Sequence, residues 1–216
     1  AFVNVGYEKD AFLHYHDLGP KVKTLMKFTK LVSEGKITNY SLEKLNFEKE
    51  IDKHGKIDDV LSPNNTILTQ IIKEPISTKG PRISSELSFA GRFLVLIPFS
   101  NRISVSQKIK SKKERDRLKK LIEEFRPKGF GVIIRTVAQG KKVAELEKDL
   151  QSLYNQWLSL CSKINGAKPP SRILSELNRS SSILRDLFDD QFKGVYCNDK
   201  NLCLSLIHIS EPTRPN

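Results

Sequence analysis

Two short runs near the start of the chain carry the residues best suited to grip a nucleic-acid base. In the run Ala1-Phe2-Val3-Asn4-Val5, Val3 and Val5 share one face of a strand and Phe2 and Asn4 share the other. In Phe12-Leu13-His14-Tyr15, Leu13 and Tyr15 share a face opposite Phe12 and His14. Gly6-Tyr7-Glu8-Lys9-Asp10 lies between them, and such a Gly-containing connection signals a hairpin. Each strand thus offers an aliphatic face and an aromatic one. The aromatic face is either further lining of a closed barrel or a platform on which bases stack, and spacing alone leaves both open.

A second group suits a phosphate. Arg135 ends the apolar run Val132-Ile133-Ile134, and Thr136 follows it. A planar guanidinium fork beside a hydroxyl matches a terminal phosphate dianion, and a charged residue closing an apolar strand is what a pocket mouth requires. The plainer alternative is an Arg that caps a strand and pairs with a surface carboxylate.

Other candidates carry less. Asp189-Asp190 is an acidic pair, but adjacent residues at a helix end point in different directions, which reads as a solvated turn rather than a metal site. His14, His16 and His54 lack a consistent metal-ligand spacing. Cys161, Cys197 and Cys203 are odd in number and form no C-x-x-C pair, which argues against a disulfide framework and a complete zinc site and favours a reducing cytosol.

Charge sets the class of partner. With 37 Lys and Arg against 25 Asp and Glu, the 216-residue chain has a formal net charge of +12, which favours a polyanion, either nucleic acid or an acidic membrane surface. No apolar run approaches the roughly 18 residues of a membrane span. No initiator Met or charged-then-apolar leader precedes Ala1, so the chain reads as truncated at that end.

The elements that must position these residues follow from periodicity. Residues 19–62 are Lys-rich and mixed, with a possible helix at 21–33, and read as solvated insertion between strands. Strand character returns at 66–76, a turn falls at Ser77-Thr78-Lys79-Gly80-Pro81, and strands are expected at 83–89 and 92–97. Residues 108–125 read as a helix with Leu118, Leu121, Ile122 and Phe125 at helical spacing, ended by Pro127 and Gly129. After the strand 131–136 comes a long helix whose Val143, Leu146, Leu150, Leu153, Trp157, Leu160 and Ile164 form a packing stripe stopped by Asn165-Gly166. A helical stretch near 177–188 and a strand at 194–196 follow. Residues 204–216 break this style, are similar to the translation of a sequencing adapter, and are set outside the fold reading as a read-through scar.

Four segments, AFVNVGYEKDAFLH, KEPISTKGPR, LSFAGRFLVLIP and GFGVIIRTVAQGK, together resemble the ribonuclease E/G family of bacterial endoribonucleases, in this order and at compatible spacings. The resemblance covers about residues 1–200, with a gap over the insertion. It implies an α+β chain. An S1 domain, an OB-type β-barrel, would occupy 1–83 with the basic insertion at about 19–62; a mixed α/β 5′-sensor would occupy 84–150, and part of an RNase H-like domain 151–203.

The family's RNA contacts, two aromatics and a lysine, fall on Phe2, Phe12 and Lys79. Its 5′-monophosphate pocket falls on Arg135 and Thr136, with backbone contacts at Gly91 and Val95. Two departures stand out. Gln107-Lys108 replaces a common arginine pair, which would weaken phosphate contacts, and Pro81 replaces a small residue, which would stiffen the loop presenting Lys79.

The resemblance further implies a cytoplasmic, homo-oligomeric parent enzyme acting on single-stranded RNA, preferably 5′-monophosphorylated. Paired aspartates in a later nuclease domain would hold Mg2+, and a later cysteine motif would hold Zn2+ between subunits. Both segments lie beyond this sequence, so the fragment is expected to bind neither metal and to be inactive in cleavage. Two other readings compete: a non-catalytic S1-type RNA-binding protein, and a basic scaffold that uses the 143–164 stripe for a protein partner.

Overall fold

A computed structural model describes residues 1–175, 196 and 198–200. Residues 1–173 form one compact α+β unit. The expected helix at 177–188, the strand at 194–196, Asp189-Asp190 and residues 204–216 lie, apart from Tyr196, outside the described residues.

The first sheet has the order β1-β2-β4-β3, built from β1 (Phe2–Val3), β2 (Ala11–Leu13), β3 (Gln70–Lys73) and β4 (Arg82–Ser84). β1 and β2 are the expected antiparallel hairpin, with Phe2 opposite Phe12 and Val3 opposite Ala11. The hairpin's core face is aliphatic. Ala11 and Leu13 are fully buried with Leu18, Val22 and Ile83, while Val3, Val5 and Tyr15 pack at the margin. The strand ends at Leu13, because Tyr15–Leu18 turn into a short 3-10 helix.

A closed barrel is not what forms here. β1 and β3 are the edges of an open sheet whose strands are two to four residues long, and among the described residues no strand between β2 and β3 closes the gap. Barrel closure needs staggered strands that hydrogen-bond all the way around. The chain between α1 and β3 instead runs mostly as loop, tucking Ile51, Ile57, Val60, Leu61 and Ile67 against the core.

The basic insertion is also less solvated than its composition suggests. α1 (Val22–Ser33) buries Val22, Leu25, Phe28 and Val32 on one face and leaves its lysines outward. Phe28 is fully buried and stacks on Trp157 of α3 (Val143–Ile164), with ring centroids 5.2 Å apart. Phe99 and Phe130 meet Trp157 edge-on at 5.7 and 5.6 Å, and the indole N–H donates to the Tyr40 carbonyl at 3.0 Å. From Leu146 to Ile164 the stripe of α3 is therefore core, while Val143 stays exposed.

The second sheet has the order β5-β6-β8-β7, from β5 (Phe89–Ala90), β6 (Leu94–Pro98), β7 (Ile103–Val105) and β8 (Phe130–Ile134). β6 and β8 are antiparallel, with Leu94 opposite Ile134 and Leu96 opposite Val132, a pairing that puts these buried residues on one face. The short strand β7, parallel to β8, is not evident in the sequence pattern. α2 (Lys112–Phe125), capped by Ser111 accepting the Glu114 N–H, packs Leu118 and Ile122 inward against β7 and β8.

Candidate nucleic-acid interface

Strand alternation places the Phe2 and Phe12 rings on the outward face of the first sheet. Phe2 is 75% exposed and Phe12 41%, and their centroids are 5.8 Å apart. Of the two uses the sequence leaves for this face, inner barrel lining is ruled out here. Two rings this large left in water form a surface able to stack on planar groups.

Lys79 is exposed on the turn between β3 and β4, and that turn is tied to the hairpin. The Phe12 N–H donates to the Pro81 carbonyl at 2.8 Å, and Lys9 Nζ donates to the Thr78 carbonyl at 2.9 Å. A Cβ on Gly80 would stand 2.1 Å from the Asp10 carbonyl oxygen, so only glycine permits this approach. Arg82, opposite Phe12 in the parallel β2–β4 register, is held by a two-point pair to Asp17 at 2.8 and 3.0 Å. Phe2, Phe12 and the turn bearing Lys79 are thus assembled from three segments of the first sheet.

The aromatic surface continues past the residues expected of it. His14, two residues beyond Phe12, has its ring centroid 6.3 Å from Phe12, and His16 lies 5.1 Å from His14. Both histidines are exposed. A strand period of two running on from Phe12 predicts both His14 and His16 on this face, although the strand itself ends at Leu13 and the 3-10 helix begins at Tyr15.

The second group lies at one end of the second sheet. Arg135 extends β8 by one residue, its N–H donating to the Phe93 carbonyl at 2.8 Å. Its guanidinium Nη1 donates to the Gly91 carbonyl at 2.7 Å, so the turn between β5 and β6 is drawn to the end of β8. Thr136 Oγ1 is 2.9 Å from Ser106 Oγ, and the Ser106 N–H in turn bonds the Ile134 carbonyl. Val95 pairs with Ile133 on the sheet's more exposed face, while Leu94 and Ile134 point into the core. Gly91, Val95 and Arg135 come together at the ends of β6 and β8, while Thr136, next to Arg135 in the chain, bonds Ser106 beyond β7, the strand on the other side of β8.

Asp149, on α3, was not among the residues that the sequence singles out. Its carboxylate accepts three successive backbone N–H groups, from Arg92 at 3.1 Å and from Phe93 and Leu94 at 2.9 Å each. A Cβ on Gly91 would lie 2.6 Å from that carboxylate, so glycine is required for the turn to close over it. Asp149 therefore fixes the backbone that carries Gly91. One Asp beside the apolar stripe of a helix gives no local signal of such a role.

The electrostatic setting is basic. Beyond Ser106, Gln107, Lys108 and Lys110 are exposed, followed on α2 by exposed Lys112, Lys113 and Arg115. Glu114 is neutralised within this array: Arg117 forks onto it at 2.7 and 2.6 Å, and the Gly140 N–H donates at 2.9 Å. The Arg117 hydrogen bond, then the Gly140 N–H, holds its carboxyl down at about 2. The pair clamps α2 to the loop between β8 and α3. Among the described residues no three His, Cys, Asp or Glu side chains gather as a metal site. Nor is any helix among them long and apolar enough to cross a membrane.

Comparison with known proteins accords with this arrangement. Residues 88–215 match the model of the Ribonuclease E/G family. The chain is 30% identical over 189 residues to Ribonuclease E of Nostoc sp., which covers 87% of the chain and 24% of that protein. It is 30% identical to Ribonuclease G of Escherichia coli K12 over 215 residues, 40% of that protein, and 30% identical to that of Haemophilus influenzae over 203 residues, 37% of that protein. The chain spans no more than 40% of the length of these curated relatives. With this match over more than half its length, the chain belongs to the ribonuclease E/G family.

Proposed function

We propose that this chain is the RNA-recognition part of a cytoplasmic, single-strand-specific endoribonuclease of rRNA and mRNA processing and decay. Phe2 and Phe12 stack on bases while Lys79 meets the adjoining backbone phosphate. Arg135 and Thr136, with the backbone at Gly91 and Val95, receive the 5′-terminal monophosphate. Residues 151–203 begin an RNase H-like domain. The observation that carries this reading is the pairing of two exposed phenylalanines on a sheet whose other face packs on a buried aliphatic core, in a chain of net charge +12.

The division of labour is physical. Stacking is tolerant of sequence, so the first sheet holds any unpaired strand. A terminal phosphate carries more charge than an internal diester, so an Arg-Thr pair distinguishes a chain end from its middle. Cleavage belongs to the parent enzyme, where aspartates hold Mg2+ and a cysteine motif holds Zn2+ between subunits of a homo-oligomer. The chain alone binds without cutting.

The test is binding of fluorescent single-stranded RNA ending in a 5′ monophosphate or a 5′ hydroxyl, with and without magnesium. Tighter binding of the monophosphate and intact RNA throughout supports the reading. Equal affinity for both ends, with sensitivity to salt and to loss of Phe2 or Phe12, assigns the chain instead to non-catalytic S1-type RNA binding. RNA-independent oligomerisation without RNA affinity would point to a scaffold, a role that the burial of the stripe from Leu146 to Ile164 does not favour.

A further inference from the structure

Lysines on this chain fall into two kinds. Those around α1 are fastened: Lys21 pairs with Glu50 at 2.8 Å, Lys27 with Glu48 at 2.5 Å, and Lys128 holds Glu43 at 2.6 Å. Those on the outward face of α2 are not. Lys112, Lys113, Lys119 and Lys120 are exposed, and among the described residues none of them has a carboxylate within ion-pair distance, although Asp116 lies between them at helical spacing.

Helix geometry makes these four one surface. Leu118 and Ile122 point into the core, so positions 112, 113, 116, 119 and 120 turn away from it, and the two lysine pairs stand about 10 Å apart along the axis. Exposed Arg115 flanks them, and exposed Lys108 and Lys110 precede them. Ser111 already takes the Glu114 N–H, so the ammonium groups, not the amides of the first turn, make the surface.

Their placement does not serve the helix. Lys112, Lys113 and Arg115 sit at the positive end of the α2 dipole, where cations are unfavourable, and exposed Glu123 and Glu124 sit at the negative end, with no basic residue in the last turn. Glu114, the one acid of the first turn, is taken by Arg117 and the Gly140 N–H. Charges set against the dipole at both ends, with four like charges side by side, favour a polyanion that supplies the missing counter-charge. No exposed large hydrophobic side chain lies on α2, so the face lacks the apolar anchor by which a helix enters a membrane surface.

We propose that the outward face of α2 holds RNA by its phosphates, paired or unpaired, without reading bases or the 5′ end. The proposal rests on RNA being the chain's partner and adds a contact that neither the phenylalanines nor Arg135 and Thr136 supply. Stacking needs unpaired bases, and a terminal-phosphate site needs a chain end. Lysine ammonium groups need neither, because each acts as a point charge on a flexible stem.

The experiment compares the wild-type chain, the variant Lys112→Gln/Lys113→Gln/Lys119→Gln/Lys120→Gln, and a control of equal charge on exposed lysines elsewhere, Lys23→Gln/Lys30→Gln/Lys44→Gln/Lys53→Gln, with Phe12→Ala alongside. Affinity for a blunt RNA duplex and for a 5′-hydroxyl single strand is measured by anisotropy over a range of salt. The α2 variant is expected to bind both RNAs roughly tenfold more weakly, with a duplex salt slope shallower by about 3. It should melt no lower than the wild type, since its lysines oppose the dipole. The control is expected to lose clearly less. Equal losses in the two variants would mean that net charge, not this face, binds RNA. Unchanged duplex affinity, or melting below the wild type, likewise overturns the surface. So does binding to phosphatidylglycerol vesicles that the α2 variant loses while its RNA binding persists. The parent reading is judged by Phe12→Ala, which should weaken the single strand and spare the duplex. If it does so while the α2 variant binds as the wild type, the single-strand reading stands and this surface falls; if only the α2 variant loses affinity, the surface stands and the stacking face falls.

Discussion

Asp149 Oδ2 accepts the Leu94 N–H at 2.9 Å, a contact between α3 and the start of β6 across 55 residues of sequence. The same carboxylate holds Arg92 and Phe93, so one side chain satisfies a turn that would otherwise leave three donors open. Asp149→Ala is expected to destabilise the unit by about 2–4 kcal/mol, lowering the melting temperature by several degrees. Asp149→Asn, which keeps one acceptor oxygen, should lose less. Calorimetry or thermal circular dichroism gives the answer, and equal melting of wild type and Asp149→Ala would deny the carboxylate this role.

Phe28 tests whether the Lys-rich segment is part of the core. Truncating a fully buried ring stacked on Trp157 removes its burial and leaves a cavity. Phe28→Ala should cost about 3–5 kcal/mol in urea unfolding, and tryptophan fluorescence should report it because Trp157 is the chain's one tryptophan. A loss within about 0.5 kcal/mol, as for an exposed position, would return α1 to the solvated surface.

Glu114 gives the fold an acid-sensitive clamp. Its folded carboxyl titrates at about 2, against an ordinary value of 4.5, so its contribution is fully present above about pH 4.5 and is lost as pH falls towards 2. Glu114→Gln should therefore melt below the wild type at pH 6, and the difference should shrink on acidification from pH 4.5 to 2. Melting curves across that range decide it; a difference that stays constant with pH would mean that the charge of Glu114 contributes nothing.

The two halves of the interface should separate by mutation. Phe12→Ala and Lys79→Ala are expected to weaken RNA ending in a 5′ monophosphate and RNA ending in a 5′ hydroxyl by the same factor, roughly tenfold for the ring and less for the exposed lysine. Gel shift or anisotropy with both RNAs measures this. A change in their ratio on loss of Phe12 would mean that the first sheet also reads the end.

Period and residue type made some of this visible in the sequence. The alternation around Phe2 and Phe12 placed both rings on one face because a hairpin has no other way to bury Val3, Ala11 and Leu13. The seven-membered stripe of α3 showed for the same kind of reason. What alternation cannot show is which outer face stays open. The expected barrel did not close because the chain after α1 covers the core with loop side chains, and a loop has no periodicity to read. Phe28 was hidden by the lysines around it, β7 by its three-residue length, and Asp149 by the 55 to 57 positions separating it from its partners. The set Gly91, Val95, Arg135 and Thr136 was named through family resemblance; local pattern alone reached only Arg135 and Thr136.

The most direct measurement crosses the 5′ end of the RNA with Arg135. Affinities of the wild-type chain and Arg135→Ala are determined for one single-stranded RNA bearing either a 5′ monophosphate or a 5′ hydroxyl, with circular dichroism confirming that both proteins are folded. Arg135 Nη1 also bonds the Gly91 carbonyl, so a general weakening of both RNAs would reflect a disturbed turn. The account predicts that the wild type prefers the monophosphate by roughly tenfold or more and that Arg135→Ala abolishes most of that preference while binding the hydroxyl RNA nearly as before. A wild-type chain that binds both RNAs equally, or a preference that survives in folded Arg135→Ala, would contradict it.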